Sequence, residues 1–390
     1  MSQGILMVAA EASADAHGAQ VVRALRAAQP QVALYGVGGD AMRAAGFNAQ
    51  IEAREMAIAG LTEVLWALPR MFRHMRTLER LAASRRPQVA VLMDMPDFNL
   101  RLARRLRRLG IPVVYYISPQ LWAWRPGRVQ QIRALVNEML VILPFEADFY
   151  RAHGVPVHFV GHPLVEQLPA RADRSAARTR LDLHTAGPVV AILPGSRRQE
   201  VARHLPRMLA GLRCLHAIYP ELRAVLPVAS TLDIDAIASQ VAHSSVPVQL
   251  VDDGATDALA AADVAVVCSG TATLQAALLR RPMVVVYRVS WLSYQILRRL
   301  VRVAHIGLVN LIAGRGLVPE LIQGDFTPQA MAHEVRRLLT AGPEGDALQR
   351  SFNELRQQLG QHDTGREVAK RVLRYLPEVA EGRQEEKSSA

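Results

Sequence analysis

The chain is short of lysine, of cysteine and of long apolar runs, and each shortage narrows the reading. Of its 46 basic residues only Lys370 and Lys387 are lysine, so the formal charge of +11 is carried by arginine. A bias this one-sided reflects genome composition as readily as function, and it is weak evidence for nucleic acid, which is not expected as a partner. Cys214 and Cys268 are the only cysteines and both lie in apolar settings. That argues against a disulfide framework and fits a reducing cytoplasm. Nowhere do about 18 apolar residues run uninterrupted, which argues against a transmembrane span. The start, Met1-Ser2-Gln3-Gly4, enters a strand without a charged leader, so no secretory signal is expected. The histidines form no metal set, and Asp233-Ile234-Asp235 only superficially resembles a D-x-D motif. Neither a metal nor a cofactor is expected.

What the chain does hold is a regular alternation of buried apolar runs and helical segments. At 390 residues, 50% hydrophobic, it is long for one core. Residues 5–10, 32–37, 89–93, 113–117, 139–143 and 157–160 read as strands of one sheet. Residues 189–193, 222–228, 246–251, 264–268 and 283–287 read as strands of a second. Strands separated by helices argue for parallel sheets covered on both faces, an α/β fold. The expected division is an N-terminal domain at 1–169 and a C-terminal domain at 170–345. Helices at 346–376, broken near 360–364, are expected to pack back on the N-terminal domain, ahead of a disordered tail at 377–390.

Near the middle, Val189-Val190-Ala191-Ile192-Leu193-Pro194-Gly195-Ser196-Arg197 is an apolar strand, a turn and an arginine, with a helix start at about Gln199. Such a turn collects free backbone N–H groups, and Arg197 adds a fork suited to phosphate oxygens. Alone, it reads more readily as a plain turn with a surface arginine. A second candidate is Ser269-Gly270-Thr271-Ala272-Thr273-Leu274-Gln275, after the strand at 264–268. In parallel sheets ligands sit beyond the carboxyl ends of the strands. The polar clusters fall there: Glu11 to Asp15 with Ser13 as helix cap, Asp94 to Asn99, Ser118 to Arg125, and Gly161-His162-Pro163.

Two segments mix bulky apolar residues with cations, as a lipid-facing helix does. One, 60–81, carries Trp66, Met71 and Phe72 beside Arg70, Arg73 and Arg76, with Pro69 expected to kink or split it. The other, 292–303, carries Leu292, Leu297 and Leu300 beside Arg298, Arg299 and Arg302. An amphipathic helix packed on its own core accounts for the first equally well.

Two α/β domains with strand-end polar loops resemble the GT-B architecture, two Rossmann-like domains facing a central cleft. The motifs are more specific. Pro96-Asp97-Phe98-Asn99, Ser118-Pro119-Gln120-Leu121-Trp122-Ala123-Trp124-Arg125, Leu143-Pro144-Phe145-Glu146, Gly161-His162-Pro163, Leu193-Pro194-Gly195-Ser196-Arg197, Ser269-Gly270-Thr271-Ala272-Thr273 and Asn310-Leu311-Ile312-Ala313-Gly314-Arg315 resemble the lipid-A-disaccharide synthase family, in that family's order. The resemblance implies an inverting, metal-independent glycosyltransferase on the inner face of the cytoplasmic membrane of a Gram-negative bacterium. It would join UDP-2,3-diacylglucosamine to 2,3-diacylglucosamine 1-phosphate, giving a β-1,6 disaccharide and UDP, with a homodimer as one assembly open to it.

Inverting transfer needs a base for the acceptor hydroxyl and a partner for the departing diphosphate. Asp97 is the first choice of base, with Asp94 the alternate and Glu11 orienting either. Arg197 with Gly195 and Ser196, and Ser269, Gly270, Thr271, Ala272 and Gln275, are expected around the donor, with Asn310 and Arg315 as further contacts. Ser13, Asn99, Trp66, Met71, Phe72, Trp122 and Trp124 are expected on the acceptor and lipid side. The sequence departs from the family at Ala10 and Ala14, where glycine is usual, and at Gln275, where glutamate is usual; weaker nucleotide binding is the expected cost. The rivals are another UDP-sugar enzyme such as a 2-epimerase or a peptidoglycan transferase, and a non-catalytic lipid- or nucleic-acid-binding protein.

Overall fold

The computed structural model describes residues 4–56, 63–124, 126–300, 303–340, 342–360 and 363–377; the side chains of 63–68, 123, 124 and 126 are outside that description. The first sheet holds β1 (Gly4–Val8), β2 (Ala33–Gly38), β3 (Asn48–Glu52), β4 (Val89–Met93), β5 (Val113–Tyr116), β6 (Glu138–Val141) and β7 (Val157–Phe159), in the order β3-β2-β1-β4-β5-β6-β7. The second holds β8 (Val189–Leu193), β9 (Arg223–Val228), β10 (Val248–Asp252), β11 (Val264–Cys268), β12 (Met283–Tyr287) and β13 (Glu320–Ile322), ordered β10-β9-β8-β11-β12-β13. Every described strand pair is parallel. Branched and apolar residues fill the central strands because helices cover both faces: β1, β4, β8 and β11 are buried along their whole length. In each sheet the order reverses beside the first strand, which opens a crevice at the carboxyl edge.

The edge strands β3 and β13 differ from the sequence reading, which has no strand at either place. Asn48-Ala49-Gln50-Ile51-Glu52 and Glu320-Leu321-Ile322 carry little apolar signal because an edge strand buries less of itself. The helix Glu63–Arg85 runs through Pro69 as one element, so the segment is not split there. Met71, Met75, Leu78 and Ala82 pack into the first core and hold it in place despite the lost hydrogen bond.

The chain crosses between the two domains twice, the first time a few residues ahead of the expected boundary at 169. Leu164, Val165 and Leu168 already pack with Leu259, Leu274 and Leu278 of the second core. On the return, the His162 amide donates to the Leu359 carbonyl at 2.9 Å. There Gly360, at φ +87°, passes so close that a Cβ would lie 3.2 Å from the Gly161 Cα. Only one of the two C-terminal helices returns to the first domain. Pro343–Gln358 stays on the second, sinking Leu348, Phe352 and Leu355 into its core. Thr364–Leu373 lies with the helix Ala12–Ala28, burying Val368, Ala369 and Val372 beside Val21, Val22 and Leu25. Glu166 accepts from both the amide and the hydroxyl of Thr364, and Arg371 pairs with the buried Glu138. The expected tail from 378 onward lies outside the described residues.

Candidate active site

A cleft of about 390 Å³ opens at the carboxyl ends of β8, β9 and β11, lined by the two loops singled out in the sequence. Gly195, Ser196, Arg197, Ser269, Gly270, Thr271, Ala272 and Gln275 all border it. The first loop is shaped by its own helix, Arg198–His216. Glu200 reaches back so that one carboxylate oxygen accepts from the amides of Ser196 at 3.2 Å and Arg197 at 3.3 Å. Gly195 takes φ +122°, and a Cβ there would lie 2.5 Å from that carboxylate, so the turn requires glycine. The Arg197 side chain is 84% exposed, 3.5 Å from the other Glu200 oxygen. The loop thus offers an exposed guanidinium, loosely paired with Glu200, beside two amides whose anion position the same carboxylate fills.

The support beneath this loop is His204, for which the sequence favours a structural or surface role without showing what it holds. His204, fully buried, has Nδ1 2.8 Å from the Pro194 carbonyl and accepts at Nε2 from the Arg288 amide, also at 2.8 Å. The acceptor role at Nε2 places the proton on Nδ1, so the ring bridges β8 to β12 in its neutral form. Burial lowers its pKa, which favours that form.

Asn310 and Arg315, expected at the donor, lie elsewhere. Asn310 is fully buried: its amide donates to the Val318 carbonyl and to Glu320, and its oxygen accepts from the amides of Leu317 and Val318. Both donors and both lone pairs are spent, which leaves nothing for a ligand. Glu320 also accepts from the Ile306 and Gly307 amides at 3.0 Å, and the Ile306 carbonyl accepts from the Ser269 hydroxyl at 2.7 Å. Asn310 therefore acts on the cleft through the Ser269 loop. Arg315 donates to Ser351 on the C-terminal helix and lines a different concavity.

The first-domain carboxylates form a separate group at the ends of β1 and β4, and none of them borders the cleft. One Asp94 oxygen accepts from the amides of Ala10 and Glu11 at 2.9 and 2.7 Å; the other is buried without a partner. Burial pushes Asp94 up to about 7 against the pull of those bonds. Asp94 and Met95 both adopt positive φ, at 53° and 32°, a strained turn of the kind found at functional sites. Asp97 is 68% exposed at its side chain and accepts from Arg128 at 2.6 Å. Arg128 is a residue that the sequence reading missed. Asn99, expected near the acceptor, is instead fully buried, its amide donating to the carbonyls of Met93 and Asp94.

Glu11, not Ser13, is the cap residue of the helix Ala12–Ala28, and both are exposed. Ala10 and Ala14 are buried and neither has positive φ, so their methyl groups cost the backbone nothing. Trp122 is half-buried, donating to Glu146 at 3.0 Å and meeting Phe145 edge-on at 4.8 Å; it ties the strand-end loop down and leaves its indole N–H no capacity for a ligand. Burial raises Glu146 to about 7. Met71 packs on the core while Phe72 is 53% exposed. The side chains of Trp66 and Trp124 lie outside the described residues. On the second domain, Trp291, Leu292, Ile296 and Leu300 leave the helix Trp291–Leu300 with an exposed apolar face.

A family model described as lipid-A-disaccharide synthetase matches residues 5–371. A lipid-A-disaccharide synthase of Myxococcus xanthus is 47% identical over 373 residues, covering 96% of this chain and 97% of that protein. Among solved structures, a Staphylococcus aureus co-structure with UDP aligns at TM-score 0.64 and 12% identity over 96% of this chain and 97% of that one. A calicheamicin glycosyltransferase aligns at TM-score 0.60 and 15% identity, over 97% and 99%. Likeness at that identity carries the GT-B fold, two Rossmann-like domains, and no more.

Proposed function

The chain belongs to the lipid-A-disaccharide synthetase family, and from that premise we propose that it transfers a diacylglucosaminyl group, with inversion, from UDP to the 6-hydroxyl of 2,3-diacylglucosamine 1-phosphate. As a member it is a glycosyltransferase; the stereochemistry, the lipid substrates and the residue roles are the proposal. The observation that carries them is the cleft in which two strand-end loops and the exposed Arg197 converge.

In this reading the diphosphate of UDP lies between the Gly195-Ser196-Arg197 and Ser269-Gly270-Thr271-Ala272 loops, and Gln275 reaches toward the ribose. The acceptor oxygen attacks the anomeric carbon as the bond to the diphosphate breaks. The hydroxyl proton passes to Asp97, and the charge left on UDP is met by Arg197 and the loop amides. Arg128 holds Asp97 until an acceptor arrives whose phosphate is a better partner for the guanidinium. Asp94, tied to the Ala10 and Glu11 amides, shapes the β1 loop and is the alternate base.

The donor and acceptor each carry acyl chains, which need apolar surface. No described helix is long and apolar enough to cross a membrane. The exposed face of Trp291–Leu300, with Phe72 on the first domain, supports a peripheral position on the inner face of the cytoplasmic membrane. A second copy of the chain, giving a homodimer, is the other occupant such a face admits.

The test is to incubate the protein with both lipid substrates and follow UDP release and disaccharide 1-phosphate by mass. Product that needs both substrates is expected. Conversion of UDP-N-acetylglucosamine alone to its 2-epimer, with no disaccharide, would replace this reading with the epimerase one.

A further inference from the structure

A second concavity, of about 780 Å³, is lined by Arg171, Arg174, Arg280, Arg281, Asp173 and Gln349 among others. It lies at the amino end of the second sheet: Arg281 precedes β12 and Asp263 precedes β11, whereas the nucleotide cleft lies at the carboxyl ends.

The charge here is out of balance. Asp263 is shared by Arg174 and Arg178, and Asp173 caps the helix Arg174–Arg180 through the Ala176 amide. Among the described residues Arg171, Arg280 and Arg281 have no carboxylate within ion-pair distance, and Asp263, already shared, acts on Arg281 only from farther off. Arg281 is only 8% exposed, and among the described residues its guanidinium makes one hydrogen bond, to the Ala260 carbonyl at 3.1 Å. Its Nε, like that of Arg280, is buried without an acceptor. Burial, with repulsion from Arg174 and Arg178 against the opposing pull of Asp263, pushes Arg281 down to about 10. A buried guanidinium with an unpaired N–H carries a free-energy cost that an anion bridging it to its neighbours would offset. Several forks around one concavity fit the tetrahedral oxygens of phosphate better than a single carboxylate.

We propose that this concavity is a second anion site, distinct from the nucleotide cleft, at which Arg171, Arg280 and Arg281 bind a phosphate group. The group comes from a soluble phosphate or from a phospholipid headgroup, and the chemistry of recognition is the same for both.

The test titrates the full chain with inorganic pyrophosphate by calorimetry while saturating UDP fills the nucleotide cleft. Wild type is expected to show a further saturable event, weakened by about tenfold or more in Arg171→Gln/Arg280→Gln, with UDP affinity unchanged. Both positions lie outside the transfer machinery, and the buried Arg281 is left in place so that the fold is kept. Sedimentation with phosphatidylglycerol vesicles separates the sources. Weaker pelleting of the variant than of wild type, with the difference abolished by pyrophosphate, assigns the phosphate to a headgroup; equal pelleting beside weakened pyrophosphate binding assigns it to a soluble ligand. No further event with pyrophosphate, or one that the double variant leaves intact, would overturn the site.

Discussion

The Glu200 carboxylate accepts from the Ser196 amide at 3.2 Å, and so takes the place in the phosphate loop that an incoming anion would favour. Glu200 holds the amides in register but sets a negative charge beside the proposed diphosphate. Glu200→Gln keeps an acceptor oxygen and removes the charge. UDP is expected to bind about threefold to tenfold tighter, the scale of one partly screened like-charge contact. Equilibrium titration with UDP checks this, and weaker binding would make Glu200 a support whose charge the loop needs.

Asp97 is the proposed base although Arg128 holds it in an ion pair. Asp97→Asn is expected to lower kcat by about 10²-fold or more while UDP affinity is kept. Steady-state kinetics with UDP titration read both quantities. Turnover close to wild type would move the base to Asp94.

Asp94 makes stability depend on pH in an unusual direction. Its carboxyl is raised from 3.8 to about 7 in the folded chain, so between those values the folded state holds the proton that the unfolded state releases. The stabilisation is fully present below the unfolded pKa and is lost as pH rises through about 7. Glu146 is raised in the same sense, so the comparison has to be made variant against wild type. Asp94→Asn keeps an acceptor for the Ala10 and Glu11 amides and cannot ionise. Relative to wild type it is expected to gain stability between about pH 5 and about pH 8, as read by urea unfolding. An unchanged difference across that range would mean that Asp94 titrates normally.

The apolar face of Trp291–Leu300 is the proposed lipid contact. Trp291→Ser/Leu292→Ser is expected to reduce sedimentation with vesicles and to raise KM for vesicle-presented substrate, with Tm held to within a few degrees because both side chains are exposed. Equal vesicle binding by the variant, together with a change in its oligomeric state, would assign the face to a second copy.

Much of this architecture was legible in the residues. Central strands such as 89–93 and 264–268 are fully buried in a parallel sheet and read as continuous apolar runs, so their positions could be taken from the sequence directly. The edge strands Asn48–Glu52 and Glu320–Ile322 carry no such run. Both cleft loops were legible because a strand, a small-residue turn and a helix start are local features. Partnerships across long sequence separations were not. Asn310 carries a family motif, yet it is consumed by the backbone at 317–318 and by Glu320. Arg128 reaches Asp97 from 31 residues away, and His204 reaches Arg288 from 84. No periodicity encodes contacts of that kind.

Transfer with inversion onto the 6-hydroxyl is the central claim, and the product's own linkage tests it most directly. The disaccharide formed from α-linked UDP-2,3-diacylglucosamine is isolated, and its anomeric proton coupling and carbon shifts are read by NMR. A β-1,6 linkage is expected, with a large coupling at the new anomeric centre and the acceptor carbon 6 shifted by substitution. An α linkage, attachment at another hydroxyl, or free glucosamine lipid without disaccharide would contradict it.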